Sequence, residues 1–144
     1  MAYTIISGER GAVLLSLVER CSRLTLLAKL PNKRASLLTQ SMIRLLTPLK
    51  SKVHTITSDN GTEFACHRII SRKLDAGFYF AHACKAWERG LNENTNGLVR
   101  QYLPKESSFA VISPQQVSAI MVALNRRPRK CLGYQTPVEV FYQP

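Results

Sequence analysis

Three short apolar stretches occupy the first thirty residues of this chain and restrict what it can fold into. They cover residues 3–7, 12–19 and 23–30, and a glycine-containing turn at 8–11 separates the first two. Each stretch is too short for a typical helix, and the third alternates apolar residues with a period of two. We therefore expect the fold to begin with an antiparallel meander of three strands.

The period changes after Pro31, and the rest of the chain mixes helices with strands. The remaining predicted elements are helices over 33–47, 63–74 and 87–102 and strands over 53–58 and 78–81. The first of these helices has one apolar face, formed by Ala35, Leu38, Met42, Leu45 and Leu46. Gly77, just past the second, is in the usual place for a C-terminal glycine. Ser113 and Thr136, each followed by Pro and then by Gln or Glu at the third position, predict the starts of two last helices. This order indicates an α/β fold, with a mixed five-stranded sheet flanked by helices in a single domain over residues 1–144.

The charge balance points to a polyanionic partner. The chain has 20 Lys and Arg against 9 Asp and Glu, a formal net charge of +11. Such a balance suggests nucleic acid first and an anionic membrane surface second. No apolar run reaches the roughly 18 residues of a membrane helix, so we expect no membrane insertion. The four scattered cysteines form no Cys-x-x-Cys pair and are expected to be reduced thiols.

Asp59 is the first of two acidic residues that stand out. It follows the predicted strand over 53–58 and precedes the turn pair Asn60 and Gly61. Ligands of open α/β sheets gather at the ends of strands, so this position suits a functional carboxylate. A plainer interpretation, which stays open, is that Asp59 only begins the turn.

Glu93 is the second, and it lies in the predicted helix over 87–102. This helix contains several poor helix formers, two glycines among them, yet keeps an apolar stripe, as functional helices often do. The apolar stripe is predicted to comprise Trp87, Leu91, Leu98 and Tyr102, and the opposite side Arg89, Glu93, Asn96 and Arg100. Two carboxylates beside basic side chains fit a metal site that meets a polyanion. The alternative is that Glu93 only pairs with an arginine on a solvated face.

Long segments of the chain resemble one family. The segments SDNGTEF (58–64) and WERGLNENTNGLVRQY (87–102) closely resemble the catalytic core of bacterial insertion-sequence transposases of the IS-thirty group. Segments 17–20 and 125–137 are also similar to that group. The resemblance implies a ribonuclease-H-like fold in which two Asp and one Glu hold two Mg²⁺ or Mn²⁺ ions for DNA strand cleavage and strand transfer.

The resemblance also implies where such a protein works. Its partners would be transposon ends and target DNA, its assembly a homodimer or a higher oligomer, and its location the bacterial cytoplasm at the nucleoid. The chain starts at the catalytic core, so we expect the N-terminal helix-turn-helix region of the family to be absent.

Matching the family residue by residue leaves one acidic position unfilled. Asp59 matches the second Asp and Glu93 the Glu, but Tyr3 stands where the first Asp is expected. A neutral phenol is a poor Mg²⁺ ligand. Glu9 and Glu19 are the two acids that precede Asp59, and neither matches the first-Asp motif. We therefore expect impaired catalysis, the alternative being an inactive core that still binds DNA or self-associates.

The densest basic cluster, at 126–130, is expected to contact DNA phosphates, although a solvated loop is the alternative. A track of polar and basic residues would extend that contact past Glu93. The predicted DNA-binding residues are Arg89, Asn96, Arg100, Lys105, Arg126, Arg127, Arg129 and Lys130.

Overall fold

The structure is a computed structural model that describes residues 2–7, 12–32, 34–58, 65–80, 86–104 and 111–143. Within these ranges five strands and five α-helices form the framework. The strands are β1 (Ala2–Ser7), β2 (Val13–Val18), β3 (Thr25–Leu30), β4 (Thr55–Ser58) and β5 (Gly77–Phe80). The helices are α1 (Ala35–Leu46), α2 (His67–Leu74), α3 (Ala86–Tyr102), α4 (Pro114–Asn125) and α5 (Pro137–Phe141), and short 3-10 turns cover Thr47–Lys52 and Lys130–Leu132.

The strands lie in the order β3-β2-β1-β4-β5. β1, β2 and β3 pair antiparallel along their whole lengths, which confirms the predicted meander. β4 and β5 pair parallel with each other. β1 pairs with β4 in parallel, and Ala2 with Thr57 is the register pair within the described residues, so the sheet consists of an antiparallel part and a parallel part.

One face of the sheet packs against α1 and α2. Leu15 and Leu17 of β2 point to this face because they alternate with residues on the other side. The predicted helical period is confirmed in α1, which buries its side chains at 38, 42 and 46 here. α2 completes this cluster with Ile70 and Leu74.

The opposite face packs against α3 and α4. Leu14 of β2 and Leu27 of β3 lie in a second apolar cluster with Val99 of α3 and Leu124 of α4. The sheet is therefore covered on both sides, and α3, the helix that carries Glu93, lies on the α4 side. No helix in the described ranges has both the length and the apolar character needed to cross a bilayer.

The helix starts predicted from Ser113 and Thr136 are confirmed. Each side chain accepts a hydrogen bond from the backbone amide of the third helical residue, whose own side chain bonds back to the cap. These capping boxes satisfy amide groups that a helix N-terminus otherwise leaves unpaired.

The end of α2 differs from the prediction. The residue in the left-handed conformation is Asp75, with φ of 50°, and not Gly77. Gly77 begins β5, where a Cβ atom would lie 2.9 Å from Cε2 of Tyr79. The ring of Tyr79 therefore covers the glycine, which explains the absence of a side chain there. α2 begins at His67, later than predicted, and residues 63 and 64 lie outside the described ranges.

Candidate active site

β1 carries position 3, β4 ends just before Asp59, and the two strands pair in parallel. Ala2 and Thr57 are register partners, so Tyr3 and Ser58, one step further along each parallel strand, lie beside each other. Ser58 is buried and ends β4. Asp59, the next residue, lies outside the described ranges, and its predicted role stays a prediction. Ile56 packs towards α1 and α2, so the intervening Thr57 points to the α3 side of the sheet.

Glu93 lies on the solvent side of α3 and is exposed. The helix is held in place by a stripe spaced four residues apart, in which Thr95 and Val99 are buried and Leu103 continues just past the helix end. This geometry leaves the Glu93 carboxylate open to ligands from solvent while the helix backbone is fixed against the sheet.

The predicted apolar stripe of α3 was wrong at Tyr102. Its side chain is 43% exposed, whereas Val99 is fully buried. The buried stripe is rotated by one residue and includes the small polar Thr95. Leu98 is half-buried and packs, as predicted, against the second apolar cluster, which lies between the sheet and helices α3 and α4. The side chains of Trp87 and Leu91 lie outside the described set.

Asn96 lies one turn after Glu93 and is half-buried. Its Oδ1 atom is buried and has no hydrogen-bond partner. A buried acceptor of this kind suits a donor or a cation and repels a phosphate oxygen. Any contact of Asn96 with a DNA phosphate would therefore use its Nδ2 group.

The carboxylate of Glu93 is a hard oxygen donor of the kind that Mg²⁺ and Mn²⁺ select. Among the residues described, no group of three or more His, Cys, Asp or Glu side chains is placed to hold a metal ion. Glu93 is thus the one predicted metal ligand with a described position, and its chemical type suits a divalent cation.

Glu19 is committed to the turn between β2 and β3. Its carboxylate accepts hydrogen bonds from the Cys21 amide at 3.1 Å, the Ser22 amide at 2.7 Å and the Ser22 hydroxyl at 2.6 Å. Burial alone raises the pKa of Glu19, but these hydrogen bonds outweigh it and hold the pKa below its ordinary value. This engagement argues against Glu19 as a replacement metal ligand.

The basic residues among the predicted DNA contacts fall into three groups. Arg126, Arg127 and Lys130 are exposed. Arg100 and Arg129 are half-buried and turned towards backbone carbonyls, Arg100 to Leu103 and Pro104 and Arg129 to Leu124. The side chains of Arg89 and Lys105 lie outside the described set.

Two residues near this basic surface were not predicted. Gln101 accepts a hydrogen bond from Arg127 at 3.1 Å and joins the end of α3 to the segment after α4. Arg23, in the turn after β2, lies close enough to Arg129 to influence its pKa. Only the tertiary fold brings these residues together. The two arginines at positions 20 and 23 were the available sequence signal for a further basic segment.

Comparison with known proteins gives relatives over almost the whole chain. The chain is 44% identical to the transposase for insertion sequence element IS4351 of Bacteroides fragilis, over 97% of this chain and 43% of that protein. It is 34% identical to the transposase InsI for insertion sequence element IS30A of Escherichia coli K12, over 94% of this chain and 36% of that protein. The chain thus spans less than half the length of these relatives. No protein-family model matches it.

Solved structures of similar shape come from retroviral integrases. The catalytic core domain of BIV integrase superimposes with a TM-score of 0.74 at 19% identity, covering 97% of this chain and 91% of that domain. A chain of the simian T-cell lymphotropic virus intasome, solved in complex with PP2A regulatory subunit B56 gamma, gives a TM-score of 0.78 at 18% identity, covering 99% of this chain and 52% of that chain. The chain therefore has the ribonuclease-H-like fold of integrase catalytic cores, as predicted.

Proposed function

We propose that this chain, which belongs to the insertion-sequence transposases of the IS-thirty group, is a DNA transposase core that cleaves and joins DNA strands with the help of divalent metal ions. The observation that carries the proposal is the agreement of sequence and fold over the same residues. Transposase sequences and an integrase catalytic core each cover 97% of the chain. A net charge of +11 supports a polyanionic substrate.

In this proposal Asp59 and Glu93 hold the metal. Bound Mg²⁺ or Mn²⁺ would supply Lewis-acid activation of the attacking oxygen and neutralise charge on the phosphate. Glu93 suits the role because it is exposed on a helix that is fixed by buried neighbours. A ligand on a rigid helix keeps its geometry better than one on a loop. The basic residues near it would position the phosphate backbone without reading bases.

Tyr3 limits this activity in our proposal. Our assignment of position 3 to the missing acid comes from the sequence match. The backbone register places this position level with Ser58, the last residue before Asp59, and opposite Leu17 of β2, which faces α1 and α2. A phenol with a pKa of about 10 stays protonated at neutral pH and adds no charge to a metal site. The site would then lack one of three anionic ligands and bind metal weakly.

A second candidate function follows from the same residue. If Tyr3 prevents metal binding, the chain would be a core that binds DNA, or itself, without cutting. Exposed Arg126 and Arg127 favour DNA binding in that case, since phosphate contacts need no catalytic metal. We include assembly into a homodimer or higher oligomer in both candidates, because strand transfer brings together a DNA end and a target.

The experiment that separates the candidates is nicking of supercoiled plasmid in Mn²⁺. We expect Tyr3→Asp to nick DNA at least tenfold faster than the natural chain. Tyr3→Asn should not show this gain, because asparagine is similar in size to aspartate but is neutral. Adding Glu93→Gln to Tyr3→Asp should abolish the gain.

Two results would contradict this proposal, one its enzymatic activity and the other its assignment of Glu93. If Tyr3→Asp binds DNA but cuts no faster than the natural chain, the non-catalytic candidate is correct. If cutting by Tyr3→Asp is unaffected by Glu93→Gln, the assignment of Glu93 is wrong.

A further inference from the structure

The turn between β2 and β3 is built to hold Arg23 in one place. The Arg23 amide donates to the Glu19 carbonyl at 2.9 Å, and the Glu19 amide donates to the Leu24 carbonyl at 2.8 Å. Arg23 has φ of 64°, a left-handed conformation that a residue with a large side chain seldom adopts. Because Glu19 is already bonded within the turn, its carboxylate is occupied by amide and hydroxyl donors.

The end of α4 is fastened beside this turn. The Asn125 side chain accepts a hydrogen bond from the Thr25 amide at 2.8 Å and donates one to the Thr25 carbonyl at 2.7 Å. Arg23 precedes Thr25 by two residues, and Arg127 follows Asn125 by two residues. At no more than about 3.6 Å per residue, the four residue steps add at most about 14 Å to the length of the Thr25–Asn125 contact, which places both arginines in the same region of the molecule.

Further contacts fix the orientation of the segment after α4. Arg127 donates from Nη1 to Gln101 Oε1 at 3.1 Å, which draws it to the last turn of α3. Arg129 donates from Nη2 to the Leu124 carbonyl at 3.1 Å and so closes the C-terminus of α4. Arg129 is therefore a positioning residue, while Arg127 keeps an exposed side chain.

The guanidinium groups repel one another. Burial lowers the pKa of Arg129, and the positive charges of Arg127 and Arg23 lower it further. Among the described residues, the groups that influence this pKa include no carboxylate. Like charges kept together without an acidic partner among them destabilise the free protein and favour binding of an anion.

We propose that Arg23, together with Arg126 and Arg127, forms a phosphate-binding surface for duplex DNA that is separate from the metal site. The proposal rests on the proposed function only in taking DNA as the partner. It adds Arg23 to the DNA contacts predicted from sequence and assigns Arg129 to a supporting role. The contacts would be to the DNA backbone, since no feature of this surface selects a base.

The position of this surface relative to Glu93 suits a continuous duplex. Gln101 follows Glu93 by eight residues in the same helix, which corresponds to about 12 Å along the axis. DNA advances about 3.4 Å per base pair, so this axial separation equals about three to four base pairs of a duplex that runs along α3. One duplex could therefore contact Glu93 and the three arginines at once.

Binding of a 25-base-pair duplex, measured by fluorescence anisotropy in EDTA at 50 to 200 mM KCl, tests the proposal without the catalytic metal. Arg23→Asn removes the charge and keeps a residue that tolerates positive φ. We expect it to reduce the salt slope by about one and to weaken binding about eightfold at 0.1 M salt. Arg127→Gln should behave similarly, and Arg23→Lys should stay near the natural chain.

The matched control is Arg72→Gln, which removes an exposed arginine from α2 on the other face of the sheet. This control variant should leave the salt slope of duplex binding unchanged. If Arg23→Asn keeps the natural slope, or if Arg72→Gln weakens binding equally, this proposal fails while DNA binding itself stands. If the natural chain binds no duplex in low salt, both this proposal and the proposed function fail.

Discussion

The side-chain amide of Asn125 forms two hydrogen bonds with the backbone of Thr25, which lies 100 residues earlier in the chain. Thr25 begins β3, the edge strand of the sheet. The amide acts as a strand partner would, by pairing both backbone groups of one residue. Two more contacts from the same side cover this edge, one from the Leu27 amide to Met121 Sδ and one from Lys29 to the Ile112 carbonyl. Covered edges of this kind resist pairing with other chains.

Asn125→Ala should lower the free energy of unfolding by about 3 kcal/mol, because it leaves a buried amide and a buried carbonyl of Thr25 without partners. Urea denaturation measures the loss. Asn94→Ala, which changes an exposed asparagine of α3, is the control and should have little effect. Equal stability of the Asn125→Ala variant and the natural chain would mean that α4 is not held by this contact.

Val99→Ala should cost about 2 kcal/mol, because Val99 is fully buried between α3 and the sheet. Tyr102→Ala should change the stability by less than about 0.5 kcal/mol, since its ring is exposed. Thermal or urea unfolding of both variants checks the orientation of α3. The opposite ranking would restore the stripe predicted from sequence and would turn Glu93 away from its described position.

The Glu19 carboxylate should stabilise the β2–β3 turn in a pH-dependent way. Its pKa is lower in the folded protein than the ordinary value of 4.5, so the stabilisation is complete above pH 4.5 and disappears as the pH falls through the folded value. The natural chain should therefore be more stable than Glu19→Gln at pH 7, and the difference should shrink below pH 4.5. A difference that stays constant from pH 7 to pH 3 would contradict the hydrogen-bonded turn.

Local patterns predicted much of this fold. The three antiparallel strands, the buried side of α1 and both capping boxes follow from periods and cap residues that act within a few neighbours. The buried side of α3 was harder to predict, because Thr95 has a polar side chain and is nevertheless buried in the fold. The position of the left-handed residue after α2 was also missed, since glycine is the usual choice and Asp75 takes that conformation instead.

The place of Arg23 in the basic surface could not be predicted because it depends on contacts distant in sequence. Arg23 and Arg127 are brought to the same region by the hydrogen bonds between Thr25 and Asn125, and nothing near Arg23 in sequence indicates that partner. Arg129 matched a phosphate-binding pattern, yet its guanidinium is turned to the Leu124 carbonyl. Charge type alone does not separate an arginine that binds a ligand from one that closes a helix.

The most direct test of the metal site is the anomalous diffraction of Mn²⁺ in crystals of the Tyr3→Asp variant and of the natural chain. We predict an ion in the variant with oxygens of Asp59 and Glu93 both about 2.1 Å from it, and weaker occupancy in the natural chain. Two carboxylates on different sides of the molecule, with no manganese between them, would contradict the account.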